Sequence, residues 1–373
     1  MKKPLKPILV TQPSLPNLDE FHKSLETIWE SKWITNNGQF HEKFENELAV
    51  HLGVKHVSLF NNGTIGLLTA LQVLEIKGEV ITTPYSFVAT ANSLLWNNLR
   101  PVFCDIDPVY GNLDASKIEA LITPNTSAIM PVHVYGNPCD VDGIEKIANK
   151  HELKVIYDAA HAFGVEKNNT SVLNYGDLSV LSFHATKTFN TIEGGAIISH
   201  SPEMKKKIDH LKNFGITDEI TVVAPGINGK VNEVIAAYGL LQLKTIDADI
   251  TKSKKLTNYY KENLKGIKGI RFLEDIENVT HNYSYFPIFI NEDEFGINRD
   301  ELFLKLKEHN IIGRRYFYPL ITDFPTYKKL PISDLNNAKK IANEVICLPI
   351  YANLELGSVD YIVELIKSFN IAC

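Results

Sequence analysis

From about residue 40 the hydrophobic positions fall into two alternating rhythms. Short runs rich in Val, Ile and aromatic residues (VKHVSLF, GEVITTP, RPVFCDID, AIMPVHV, LKVIYDAA) alternate with longer stretches whose apolar residues recur at helical spacing. Those stretches predict helices over 42–52, after Gly63, and over 86–94, 115–121 and 142–150. Strands separated by helices predict a mostly parallel sheet covered on both faces, because each parallel connection must cross over the sheet. The rhythm changes at DLSVLSFHA and GGAIIS, two apolar strands joined by a polar loop that contains Lys187. Ligands of open α/β sheets gather at the strand ends, so chemistry is to be sought in this loop.

Beyond Val231 one long helical pattern runs past Lys254 toward Leu264, followed by the apolar runs KGIRFLE and YSYFPIFI and by helices predicted over 299–309 and 359–369. This pattern predicts a large domain over 1–245, including the N-terminal segment, and a smaller α+β domain over 246–373. A chain of 373 residues suits one large and one small core.

Composition narrows the function. The sequence is 44% apolar and 22% charged, the balance of a globular protein. Its 44 acidic and 38 basic residues leave a net charge of -6, and the basic ones are dispersed, which argues against nucleic acid as a partner. The start, MKKPLKPILVTQPSLP, lacks the apolar stretch of a signal peptide, and no later run has membrane-spanning length. Cys104, Cys139, Cys347 and Cys373 lie far apart without metal-ligand spacing, so reduced thiols in a cytoplasm are expected.

Three positions suggest chemistry. Lys187, followed by Gly194 and Gly195, would lose hydration if partly buried, lower its pKa and form a Schiff base with an aldehyde; a solvated loop lysine reads the same. Asp158 ends the strand KVIYD before the small residues AAHAFG and would offer a carboxylate to a cationic partner, or simply cap a helix. Asn61, Asn62, Gly63 and Thr64 lead from strand to helix and would present amides and a hydroxyl to a phosphate, as would any capped helix start. His133 and His161 have no carboxylate or cysteine pattern to complete a metal site.

A helix-start phosphate cradle, a strand-end Asp and a loop Lys, in that order, resemble the type I fold of aminotransferases that use pyridoxal 5'-phosphate (PLP). More narrowly, WITNNGQFHEKFE, NNGTIGL, TTPYSFVAT, PVHVYG, VIYDAAHAFG, SFHATKTFNTIEGG, GINGKVNEVIAAYGLLQL and CLPIY resemble the DegT/DnrJ/EryC1/StrS family of sugar aminotransferases across nearly the whole chain. The resemblance implies a large domain with a mostly parallel seven-stranded sheet, and Lys187 as cofactor-bearing lysine and general base. It further implies Asp158 as partner of the pyridine nitrogen, and Gly63, Thr64 and Ser182 at the phosphate. Phe87 matches a side chain against the cofactor ring, and His161 one near the ring oxygen. Asn228 matches a residue reaching the phosphate of a neighbouring subunit, which makes the family dimeric with shared sites. His184 takes a local or substrate-contact role. Arg314, Arg315, Tyr316 and Tyr318 in GRRYFYPL fall where relatives contact sugar or nucleotide, and a strand edge with solvated arginines is the plain alternative.

The activity so implied is transfer of an amino group from L-glutamate to a nucleotide-linked keto sugar, with one lysine moving the proton. Glu193-Gly194-Gly195 after the lysine resembles the stretch that many C4-aminating members of the family carry there, which favours C4 over C3, and the wording HATK and TNNG looks most like enzymes that make dTDP-4-amino-4,6-dideoxyglucose, an O-antigen precursor, from dTDP-4-keto-6-deoxy-D-glucose. The nucleotide, dTDP or UDP, stays open. A sugar dehydratase of the same family is disfavoured by the retained Lys187, and a non-catalytic PLP-binding regulator by the intact Asp158 and Lys187 pair.

Overall fold

The computed structural model describes residues 3–330 and 333–370. Its main sheet has seven strands in the order His56–Phe60, Gly195–Ser199, Leu178–Ser182, Lys154–Asp158, Thr126–Met130, Glu79–Thr82 and Arg100–Phe103. Gly195–Ser199 runs antiparallel to both its neighbours, and the other pairings are parallel. Successive side chains of a strand face opposite sides of the sheet, so each strand serves two cores. Val57, Leu59, Leu181 and Ile198 pack with Phe44 and Leu48 on one face, while Phe60, Val180 and Ile197 pack with Leu67 and Leu71 on the other.

A second, antiparallel sheet orders Ile270–Phe272, Phe286–Ile290 and Val345–Leu348. Helices Ile246–Leu264 and Leu356–Phe369 cover it through Tyr260, Leu264, Ile362 and Ile366. The first residues, grouped above with the large domain, make contacts on both sides. Ile8–Leu9 pairs in parallel with Ile311–Ile312 and the Val10 carbonyl accepts from the Ile350 amide, whereas the Ser14 carbonyl accepts from Asn190 and Gln242. Among the described residues no helix is long and apolar enough to cross a membrane.

Three helical expectations need correction. The pattern from Val231 to Leu264 is two helices, Glu233–Leu243 and Ile246–Leu264, because the amides of Lys244 and Thr245 turn back to carbonyls three residues earlier and tighten the chain into a bend. The stretch 115–121 forms two single 3-10 turns, and the helix expected from residue 86 begins at Ala89.

Candidate active site

Three chain segments converge at the carboxyl end of the main sheet. Asp158 and Ser182 are the last residues of adjacent strands, and Gly63 opens the helix Gly63–Val73 just after the strand ending at Phe60. Asn62 caps that helix, its side-chain oxygen accepting from the Ile65 amide at 2.8 Å. The first-turn amides of Gly63 and Thr64 have no carbonyl of their own helix to reach. A Cβ on Gly63 would stand 3.0 Å from the Ser182 Cβ, so glycine lets the helix start press against the strand end. Together these residues line one cavity of about 300 Å³ with Ser86, Phe87, His161, His184, Lys187, Tyr285, Tyr316 and Phe317.

Asp158 caps no helix. It is 5% exposed, and its two oxygens accept from the Thr90 hydroxyl at 2.7 Å and the Ala160 amide at 3.2 Å. Burial pushes its carboxyl up, and the Thr90 hydroxyl, the Ala160 amide and Lys187 pull it back. Lys187 is half-buried rather than solvated and donates to the Tyr285 hydroxyl at 3.3 Å. Desolvation pulls its ammonium down to about 8, with Asp158 opposing. An amine with that titration is ready for an aldehyde near neutral pH.

His161 is buried, and burial holds it neutral, well below its usual range. Its Nδ1 accepts from the Tyr135 amide at 3.2 Å, and its ring stacks parallel to Phe317 at 5.8 Å. His184 is tied locally, Nδ1 to the Thr186 hydroxyl at 2.8 Å and Nε2 to Glu193 at 3.6 Å. His133 lies away from the cavity, stacked on Tyr157 and accepting from the Cys139 amide. Phe87 stands at the mouth, 61% exposed, shared with a second cavity of about 260 Å³.

That second cavity is lined by Arg314, Arg315, Tyr316 and Tyr318 with Phe303 and Phe324. The two arginines differ. Arg315 donates to Asp300 at 2.7 Å and lies over Phe303, whereas Arg314 is exposed. Asn228 lines neither cavity of its own chain: it is exposed, and its carbonyl accepts from the Asn61 side chain at 3.3 Å.

Sequence reasoning missed Thr90, Ser86 and Tyr285. Thr90 and Ser86, hydrogen-bonded to each other at 2.8 Å, sit inside the motif TTPYSFVAT and were within reach there; Tyr285 belongs to an apolar strand run with nothing to mark it. The residues present fit PLP. A buried carboxylate suits the pyridine nitrogen, a part-buried amine suits the aldehyde carbon, and free helix-start amides beside a hydroxyl suit the phosphate.

Comparison with known proteins identifies the family. The chain is 56% identical over 363 residues to a dTDP-4-amino-4,6-dideoxy-D-glucose transaminase of Shigella dysenteriae, spanning 97% of this chain and 99% of that one. It is 52% identical to the protein of that name from Escherichia coli, over 97% and 98% of the two chains. A solved structure of DesI in the presence of its TDP-sugar product superposes with a TM-score of 0.95 at 32% identity, covering 99% of this chain and 94% of that one. Helicobacter pylori PseC, an aminotransferase of pseudaminic acid biosynthesis, superposes at 0.91 with 31% identity, over 99% and 100%. Since the family model for DegT/DnrJ/EryC1/StrS aminotransferases also matches residues 17–367, the chain belongs to that family and is a sugar aminotransferase.

Proposed function

We propose that this enzyme moves the amino group of L-glutamate to C4 of dTDP-4-keto-6-deoxy-D-glucose, using PLP held on Lys187. One observation carries the reading: Lys187, Asp158 and the Gly63–Thr64 helix start, far apart in sequence, line a single cavity. The names of the two relatives above 50% identity support the sugar and its carrier. Bound PLP supplies an electron sink for the carbon that loses its proton.

The chain supplies the rest. Lys187, its amine partly neutral near neutral pH, takes the proton from the donor's α-carbon and later returns one. Asp158 holds the pyridine nitrogen protonated, and the Thr90 hydroxyl keeps the carboxylate aimed. Gly63, Thr64 and Ser182 bind the phosphate. His161 and Phe87, which line the same cavity, would meet the cofactor's ring, His161 near its oxygen and Phe87 against one face. The second cavity takes the nucleotide, with Arg314 and the aromatic rings of Tyr316 and Tyr318 facing the diphosphate and base. Arg315, already paired with Asp300, serves as their support.

The same proposal makes the enzyme a cytoplasmic homodimer, with Asn228 reaching the phosphate of the neighbouring subunit, and divides each chain near residue 245. The product would feed O-antigen synthesis. The test incubates purified protein with PLP, L-glutamate and dTDP-4-keto-6-deoxy-D-glucose, measures 2-oxoglutarate, and locates the new amine by NMR. Release of 2-oxoglutarate with the amine at C4, and none from Lys187→Ala, is expected. An amine at C3, or turnover only with UDP-linked sugars, would refute the assignment of substrate.

A further inference from the structure

Lys187 is approached from a stretch that none of the resembling motifs includes. Residues 282–285 lead into Phe286–Ile290, the central strand of the second sheet, and they are fastened to loops of the main sheet. Asn282 is buried and donates from its side-chain amide to the His161 carbonyl at 2.8 Å and the Phe163 carbonyl at 2.9 Å. The Ser284 hydroxyl donates to the Tyr135 carbonyl at 3.4 Å. So fastened, the segment sets the Tyr285 ring 4.7 Å from the His161 ring and brings its hydroxyl to Lys187. Desolvation keeps that phenol neutral, well above its usual range, so its oxygen is free to accept.

We propose that Tyr285 takes part in the proton transfer by accepting a hydrogen bond from the ammonium that Lys187 becomes, holding it in one place until the proton is returned. This rests on the amino-transfer reading above. In the step, the C–H bond of the donor's α-carbon breaks, its proton forms an N–H bond on Lys187, and the electron pair stays on the substrate side. Tyr285 exchanges no proton. Its part is to keep a long, flexible side chain from sampling other rotamers while it carries a charge in a half-buried site.

Tyr285→Phe removes only the oxygen, whose hydrogen bond among the described residues is the one with Lys187. Two results are expected. Turnover falls about tenfold with little change in the KM for glutamate, a modest share of what general acid–base catalysis contributes. In cofactor-free protein, the pH of half-maximal acetylation of Lys187, followed by peptide mass mapping, falls by at least about half a pH unit, because an acceptor favouring the ammonium is gone. Asp158, His161, His184, Glu193 and Tyr316 also line the cavity, and Asp249, Tyr283 and Tyr351 line a small cavity on the other side of Lys187. All of these are retained in the variant, so a shift belongs to the hydroxyl.

An unchanged acetylation midpoint, or a kcat within about twofold of wild type, overturns the proposal. If the wild type aminates no keto sugar, the reaction reading falls while the acetylation midpoint still decides whether Tyr285 holds Lys187. Should Tyr285→Phe fail to fold, Asn282→Ala reads the same quantity, because it frees the segment from the His161 and Phe163 carbonyls; a midpoint that does not fall there overturns the proposal equally.

Discussion

Asp158→Asn is expected to make Lys187 a better nucleophile in the cofactor-free protein while making the enzyme slower. Desolvation lowers the Lys187 ammonium from 10.5 to about 8, and the Asp158 carboxylate is the charge that resists this fall. At pH 7 a lysine titrating near 8 is about 9% neutral, against about 0.03% for an ordinary one, a gain of roughly 300-fold in reactive amine. Removing the carboxylate takes away the resistance, so the midpoint drops further, and each half-unit adds about threefold more free amine at pH 7. Pulsed acetylation across about pH 6 to 10, with peptide mass mapping and exposed Lys77 as internal comparison, reads the titration directly. A midpoint at or above the wild-type value would refute the electrostatic argument. A wild-type Lys187 that titrates together with Lys77 would refute the burial argument as well. Turnover in the same variant should drop at least about a hundredfold, since a neutral amide cannot keep the pyridine nitrogen protonated. A near-normal rate would leave Asp158 with a structural role only.

Acid should destabilise the fold through His41, His133 and His281, which burial lowers to about 4, 3 and 4. The unfolded chain takes up these protons near pH 6.5 and the native chain does not, so their contribution is complete above about 6.5 and is lost as pH falls toward about 4 for His41 and His281 and toward about 3 for His133, by up to about 2 kcal/mol each at pH 5. A urea midpoint that is the same at pH 7 and pH 5 would contradict this. Gly239→Ala places a Cβ 2.5 Å from the Phe44 ring, where helix Glu233–Leu243 meets helix Gln39–Leu52, and should cost about 2 kcal/mol in urea unfolding despite the better helix propensity of alanine. For the shared site, mixing poorly active Asn228→Ala and Lys187→Ala subunits under proven exchange should restore activity, because both lesions fall in one composite site and leave the other intact. No recovery from an impaired Asn228→Ala parent would end the shared-site model.

The alternation of β-branched runs with helical spacing was enough to place the parallel sheet, and the end of one strand was enough to place Asp158. Both are local patterns, set by which side of a strand or helix each residue faces. The loop that holds Lys187 could be found for the same reason, since the missing helix between DLSVLSFHA and GGAIIS is visible in the residues themselves, but only the family resemblance told its lysine from a solvated one. What stood beyond such patterns was the company these residues keep. Thr90 meets Asp158 across 68 residues of chain and Tyr285 meets Lys187 across 98. The bend at Lys244 and Thr245 and the pairing of Ile8–Leu9 with Ile311–Ile312 were equally hidden. Periodicity reports which face of an element is buried, but not against what. A hydroxyl's partner, a lysine's degree of burial and the titration that follows from it are decided only when distant segments pack together and exclude water from between them.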